Sequence, residues 1–222
     1  MRPPQAGPHA ALPNTTSMST NRLEAFSDGV LAVAITLLVL NIAVPAVDAP
    51  GALAHKLAHQ WPAYAAYITS FLTIGIIWFN HHVMISRLRD ADHSILMLNL
   101  VLLMTIAVLP FATSLVATYL RASHGDHLAA AVYSGSFLAM SIAFIALHRM
   151  ILLGRPHLLA VEMPEELRRR ILRRNATGIG PYVIATALAP VSAYATVGIC
   201  LAIAVFYALP TGIEEGPQRS SM

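Results

Sequence analysis

Charge is scarce in this chain. Only 11% of its 222 residues are Asp, Glu, Lys or Arg, whereas 56% are hydrophobic. Soluble domains carry roughly 25% charged residues and about 45–50% apolar ones. With a mean hydropathy of +0.63, the chain reads as a polytopic membrane protein. Cysteine is nearly absent too. Cys200 alone excludes an internal disulfide and a Cys-based zinc site, and its apolar setting marks a buried, inert thiol. No Gly-x-Ser-x-Gly and no His-Glu-x-x-His is present, and His148 and Glu162 lack hydrolase spacing, so no enzyme is expected. Ten histidines are there, yet the adjacent His81 and His82 point about 100° apart on a helix, so no metal is assigned. The net charge of +3 comes without aromatic–basic interleaving, which excludes nucleic acid as a partner.

What the chain does have is long apolar runs. A bilayer core needs about 20 apolar residues per helix, and six such spans are predicted. The first runs from Phe26 to Val47, closed by Pro45, Asp48 and Pro50. A loop, Ala49 to Gln60, leads to the second, Trp61 to about Phe79, anchored by interfacial aromatics. His81, His82, Arg87, Arg89 and Asp90 read as a basic connection. The third span, Ile95 to Leu120, carries Pro110, which predicts a kink. After a turn at Arg121–Asp126 comes the fourth, Leu128 to Leu147, rich in small residues that let helices approach closely. Pro164 to Arg170 reads as an amphipathic lead-in with acid first and base last. The stretch from Ala176 to Leu209 is too long for one helix and divides at Ala189-Pro190 into a hairpin. Its first arm is expected to start within Ile171–Asn175.

Lys and Arg sort strongly between the two sides of this layout. Twelve fall on the side of the termini, including seven between Arg149 and Arg174, and only Lys56 and Arg121 fall on the other. The excess places both termini in the cytoplasm. The fold is therefore all-α, a polytopic membrane protein with six transmembrane helices. Residues 1–21 form a disordered tail, 22–209 the membrane domain and 210–222 a flexible tail. The run Arg168-Arg169-Arg170 is first an orientation signal; binding to anionic lipid is its second reading.

The first span opens on a compact polar cluster, Arg22-Leu-Glu-Ala-Phe26-Ser27-Asp28. On a helix turning about 100° per residue, Arg22, Phe26, Gly29, Thr36, Leu37, Leu40 and Val44 fall within about 60° of Val33. Asp28 lies about 140° to one side and Ser27 about 120° to the other. Such a stripe is usually lipid-facing or bundle packing. Asp28 is off it and suits a charge-assisted bond to a neighbouring helix. Asn41 is open between a helix contact and a pore contact.

Three segments carry a family likeness. Arg22-x-x-x-Phe26-Ser27-Asp28 on a first membrane helix resembles the signature of the transmembrane-protein-175 family of potassium channels. Trp78-Phe-Asn-His81-His82 resembles the family's Trp-x-x-His element. Leu98-Asn99-Leu100, continuing to Leu109-Pro110-Phe111, resembles its third helix. The resemblance implies a homotetrameric channel whose first helices line the pore, with no cofactor and with the potassium ion as the permeant species. It implies constriction rings at Val33, Leu37 and Leu40, with Thr36 as a hydroxyl layer. The same likeness makes Trp78, Asn99 and His81 or His82 polar partners of Arg22 and Asp28.

Val33 departs from the larger Ile or Leu expected there, which widens the ring or moves the tight point to Leu37. No TVGYG loop is present to replace an ion's hydration shell with carbonyls, so weak selectivity for potassium over sodium is expected. The expected site is the cell membrane, multi-pass, of bacterial inner-membrane type. One rival is a small proton-coupled secondary transporter using Arg22, Asp28 and His82 as a relay; another is a membrane scaffold.

Overall fold

The computed structural model describes residues 18–45, 47, 52–122 and 124–209. Most of the expected tails, together with Asp48 and Pro50, lie outside them. Helix α1 (Thr20–Leu37) continues as a 3-10 turn, Leu38–Asn41. It therefore starts six residues before the expected Phe26 and ends before Val47. Ahead of it, Met18–Ser19 (β1) pairs antiparallel with Asp90–Ala91 (β2), so residues 18–21 are ordered structure rather than tail.

The loop expected over residues 49–60 contains a short helix, α2 (Ala52–His59). Helix α3 spans Trp61–Ile85, with Pro62 in the first turn, where a missing N–H costs nothing. It carries His81 and His82 inside a helix, six residues past the expected end at Phe79. Their polarity looked like a connection, but each has a partner across the helix interface, as described below.

The third span is broken as Pro110 predicts. Helix α4 (His93–Ala107) stops at Val108, and α5 (Leu109–Tyr119) begins with Pro110 in its first turn. At Gly125 φ is +87°, a left-handed turn that precedes α6 (Asp126–Arg149). A Cβ there would also approach the Tyr119 ring to 3.1 Å. Helix α6 runs on through a π-helical turn, Met150–Gly154. Helix α7 (Glu165–Ala176) has Glu165 and Glu166 in its first turn and Arg173 and Arg174 in its last, matching the helix dipole. It contains the amphipathic lead-in expected over Pro164–Arg170, whereas the first arm of the hairpin, expected to start within Ile171–Asn175, starts later, at Ile179. The hairpin is α8 (Ile179–Leu188) and α9 (Ala193–Ala208). Ser192 caps α9 by accepting from the Ala195 N–H at 3.2 Å.

Among the described residues, four helical segments are long and apolar enough to cross a bilayer: residues 20–41, 61–85, 93–119 and 126–154. The shorter α8 and α9 complete a count of six. Lipid tails are as apolar as leucine, so burial of greasy surface does not hold such helices together; close packing and internal hydrogen bonds do. Ala66, Ala112, Ala130, Ala185 and Ala189 are accordingly fully or almost fully buried. Where α3, α5 and α6 meet, the Ser70 hydroxyl lies 2.8 Å from Thr113 Oγ1 and 3.1 Å from Tyr133 Oη.

The arginine-rich connections gather at one end. The Arg89 N–H donates to the Leu158 carbonyl and the Ala160 N–H to the Arg87 carbonyl, both at 2.8 Å. Asp92 caps α4 by accepting from the Ile95 N–H at 3.0 Å and pairs with the Arg155 guanidinium. The described chain begins at this end, with β1 on β2, and Leu209, where it finishes, lines the same cavity as Arg174. At the opposite end Arg121 donates to the His59 carbonyl at 3.1 Å, and Trp61 stacks on Tyr194.

Partial burial alone would raise the Asp92 carboxyl, but the Ile95 N–H and Arg155 outweigh it and hold the pKa below the ordinary carboxylate value. A depressed folded pKa contributes stability above the unfolded value of about 3.9 and loses it as pH falls through the folded one. Asp92→Ala is expected to cost about 1 kcal/mol. Thermal unfolding in detergent should show that deficit at neutral pH and a shrinking one below about pH 4.

Candidate functional site: the two faces of the first helix

Helix α1 presents opposite faces to opposite environments. Leu23, Ser27, Leu31, Ala34 and Leu38 are buried against the rest of the chain. Arg22, Phe26, Gly29, Val33, Thr36, Leu37 and Leu40 are all exposed, with Val33 57% and Leu40 74% accessible. These exposed positions are the stripe predicted from the helical wheel. The Thr36 hydroxyl donates to the Val33 carbonyl at 2.9 Å, so its oxygen lone pairs are free to face a cation. Around the stripe, Phe26, Gly29, Val33, Leu37 and Ala107 line a shallow groove of about 540 Å³.

The buried face is held by a chain of directed hydrogen bonds. His81 Nε2–H donates to Asn99 Oδ1 at 2.8 Å, Asn99 Nδ2 donates to Ser27 Oγ at 3.0 Å, and Ser27 Oγ donates to the Leu23 carbonyl at 2.8 Å. Because the Asn99 oxygen only accepts, the proton sits on His81 Nε2, and the buried Nδ1 has no partner among the described residues. Three helices, α3, α4 and α1, are thereby locked through side chains that are themselves fully buried.

Beside this chain stands a two-rung ladder. Trp78 Nε1 donates to Asp28 Oδ1 at 2.9 Å, and His82 Nδ1 meets Glu24 Oε1. Glu24 and Asp28 are one turn apart on α1, and Trp78 and His82 one turn apart on α3. Antiparallel helices bring such i,i+4 pairs into register. The network expected around Asp28 is therefore present but differently wired. Trp78 serves Asp28, Asn99 and His81 serve Ser27, and His82 serves Glu24. Arg22 was expected among them, but it is exposed and has no partner among the described residues. Glu24 was missed, although its spacing from Asp28 matches that of Trp78 and His82. Asn41 Nδ2 donates to the Pro110 carbonyl at 3.1 Å, which makes Asn41 a helix–helix contact.

Known proteins resemble this chain. The family model described as the endosomal/lysosomal potassium channel TMEM175 matches residues 22–110, the stretch that holds the ladder and the Asn99 chain. A protein from Streptomyces collinus, named a potassium channel, is 45% identical over 188 residues, covering 85% of this chain and 91% of its own. The chain belongs to the TMEM175 family. A crystal structure of a lysosomal potassium-selective channel TMEM175 homologue from Chamaesiphon minutus superposes with a TM-score of 0.74. It is 38% identical and covers 85% of this chain and 96% of that one. The Gallus gallus relative named endosomal/lysosomal proton channel TMEM175 is 38% identical over 117 residues. That match takes in 49% of this chain and 23% of the longer bird protein.

Within this TMEM175-family chain, Asn99 bonds both His81 and Ser27. Asn99→Ala leaves the buried His81 Nε2–H without an acceptor, at about 1–3 kcal/mol, and removes the donor to Ser27 Oγ, which keeps only its bond to the Leu23 carbonyl. Asp28→Asn keeps the acceptor for Trp78 and removes only charge. Thermal unfolding of the detergent-solubilised protein should therefore show a larger drop for Asn99→Ala than for Asp28→Asn. Equal drops would remove Asn99 from its position as the joint.

Proposed function

We propose that this chain is the subunit of a homotetrameric potassium channel, weakly selective over sodium, with α1 from each copy lining a central pore. The observation that carries the reading is the exposed apolar stripe of α1, which lies opposite the face locked to α3 and α4. The names of the Streptomyces collinus and Chamaesiphon minutus relatives support potassium as the ion, and a channel name speaks against an enzyme. Val33, Leu37 and Leu40 form the constriction rings. A narrow apolar ring gates by dewetting. Potassium sheds water more readily than sodium because it is larger, and Thr36 oxygens replace part of the lost shell. This mechanism discriminates modestly. With the arginine-rich end in the cytoplasm, the channel sits in a bacterial-type inner membrane.

The Asn99 chain and the Trp78–Asp28 rung hold α1 at a fixed rotation, which keeps the stripe turned away from the subunit core. They are positioning groups and do not meet the ion. Arg22, at the cytoplasmic start of the stripe, faces the pore entrance. The rival proton-coupled transporter needed Arg22, Asp28 and His82 as one relay. Instead Asp28 binds Trp78, His82 binds Glu24 and Arg22 stands apart, so that relay is not assembled.

In planar bilayers the reconstituted protein should give unitary potassium currents that require no co-ion. Leu37→Ala or Leu40→Ala should raise conductance several-fold and flatten the potassium preference. Unchanged conductance and selectivity in both variants would refute the constriction assignment.

A further inference from the structure

A second cavity lies on the far side of the subunit from α1. It measures about 480 Å³ and is enclosed by α3, α6, α8 and α9. Ile76, Phe144 and Phe206 supply apolar walls, while Asn80, Arg174 and Tyr207 stand at its mouth. The α3 residues that line it, Thr73 through Asn80, turn the opposite face from Trp78, which meets α1. Asn80 and Phe206 in its lining are exposed, so the cavity opens on the outside of the helix bundle. From Asn80 down to Thr73 the helix descends roughly 10 Å, so the cavity is polar at the arginine-rich end and greasy below.

The mouth carries unused donors and no acid. Arg168 donates to the Leu152 carbonyl, Arg169 to Glu165 and Arg173 to the Arg169 carbonyl. The Arg174 guanidinium, in the same last turn of α7, makes no hydrogen bond or ion pair among the described residues, and only its backbone carbonyl is used, by the Thr177 hydroxyl. The Tyr207 hydroxyl is likewise unpartnered among them. It lies over Gly178, where a Cβ would come within 3.5 Å of the oxygen. No Asp or Glu lines the cavity. A cation and a hydroxyl above an apolar slot, at the depth of a membrane interface, match one ligand chemistry: a phosphate diester carrying an acyl chain.

We infer that this cavity binds one anionic phospholipid, its phosphate on Arg174 and Tyr207 and the start of an acyl chain between Ile76, Phe144 and Phe206. The guanidinium offers paired N–H donors to phosphate oxygens, and the anionic cytoplasmic leaflet supplies such headgroups. The inference rests on the cavity and not on the pore reading, so absent potassium currents would leave it standing.

The test is native mass spectrometry of the full-length protein in detergent with added dioleoylphosphatidylglycerol, dioleoylphosphatidylcholine or inorganic phosphate. Wild type should retain phosphatidylglycerol in preference to the other two. Arg174→Gln should weaken that retention by about fivefold, the scale of one basic residue at an anionic surface. Tyr207→Phe keeps the ring and should weaken it less, which gives a second variant should Arg174→Gln elute as aggregate. Equal retention of phosphatidylcholine would mean unspecific annular lipid, and equal binding of inorganic phosphate a free anion site; either overturns the inference. So would wild-type retention in both variants.

Discussion

Everything in this fold depends on the rotation of α1, and Asn99 fixes it. In a hydrocarbon interior a polar side chain without a partner is costly, and water is not available to repair it. Asn99 meets that constraint by accepting from His81 and donating to Ser27 at once. Only one rotation of α1 about its axis brings Ser27 to that amide. The same rotation carries Asp28 to Trp78 and Glu24 to His82. Three independent polar contacts thus agree on which side of α1 faces inward. The remaining side, with Val33, Thr36, Leu37 and Leu40, is left for whatever lies outside the subunit.

This arrangement separates two tasks that the amino-terminal motif had seemed to combine. The charged residues hold α1 in place, and the uncharged ones are left exposed on its other face. Asp28 is the acceptor for an indole N–H rather than a charge at a pore mouth. The hydroxyl cluster of Ser70, Thr113 and Tyr133 performs a similar holding task at mid-membrane. It braces α3 against the broken third span, where Pro110 has removed a backbone donor. The break itself is tied back to α1 by Asn41 on the Pro110 carbonyl. The kink therefore occurs where a partner is available to stabilise it.

Much of this was legible in the residues. Apolar length gave four long spans, Pro110 marked the break, and the helical wheel gathered the stripe that is exposed. Other parts could not be read so simply. His81 and His82 looked like a connection because their polarity was visible and their partners were not; pairing to other helices, buried for His81 and exposed for His82, accompanies a helix that runs to Ile85. Glu24 was overlooked although i,i+4 spacing on two helices encodes its rung with His82. Ser70, Thr113 and Tyr133 sit in different spans, and nothing local relates them. Helix α2 carries no buried residue, so its short apolar–polar alternation gave little pattern to read. The face that α1 turns outward follows from contacts between helices, which periodicity along one helix does not contain.

The central claim is that the exposed face of α1 meets permeating ions. Cys200 is the sole cysteine and is fully buried, so new thiols can be placed one at a time in the native background. Silver ion is close to potassium in size and binds thiolate. The most direct measurement is silver block of potassium current in Thr36→Cys, with Ile184→Cys on α8 as the outward-facing control. The account predicts rapid block for Thr36→Cys and none for Ile184→Cys. Current through Thr36→Cys that silver leaves unchanged would contradict it.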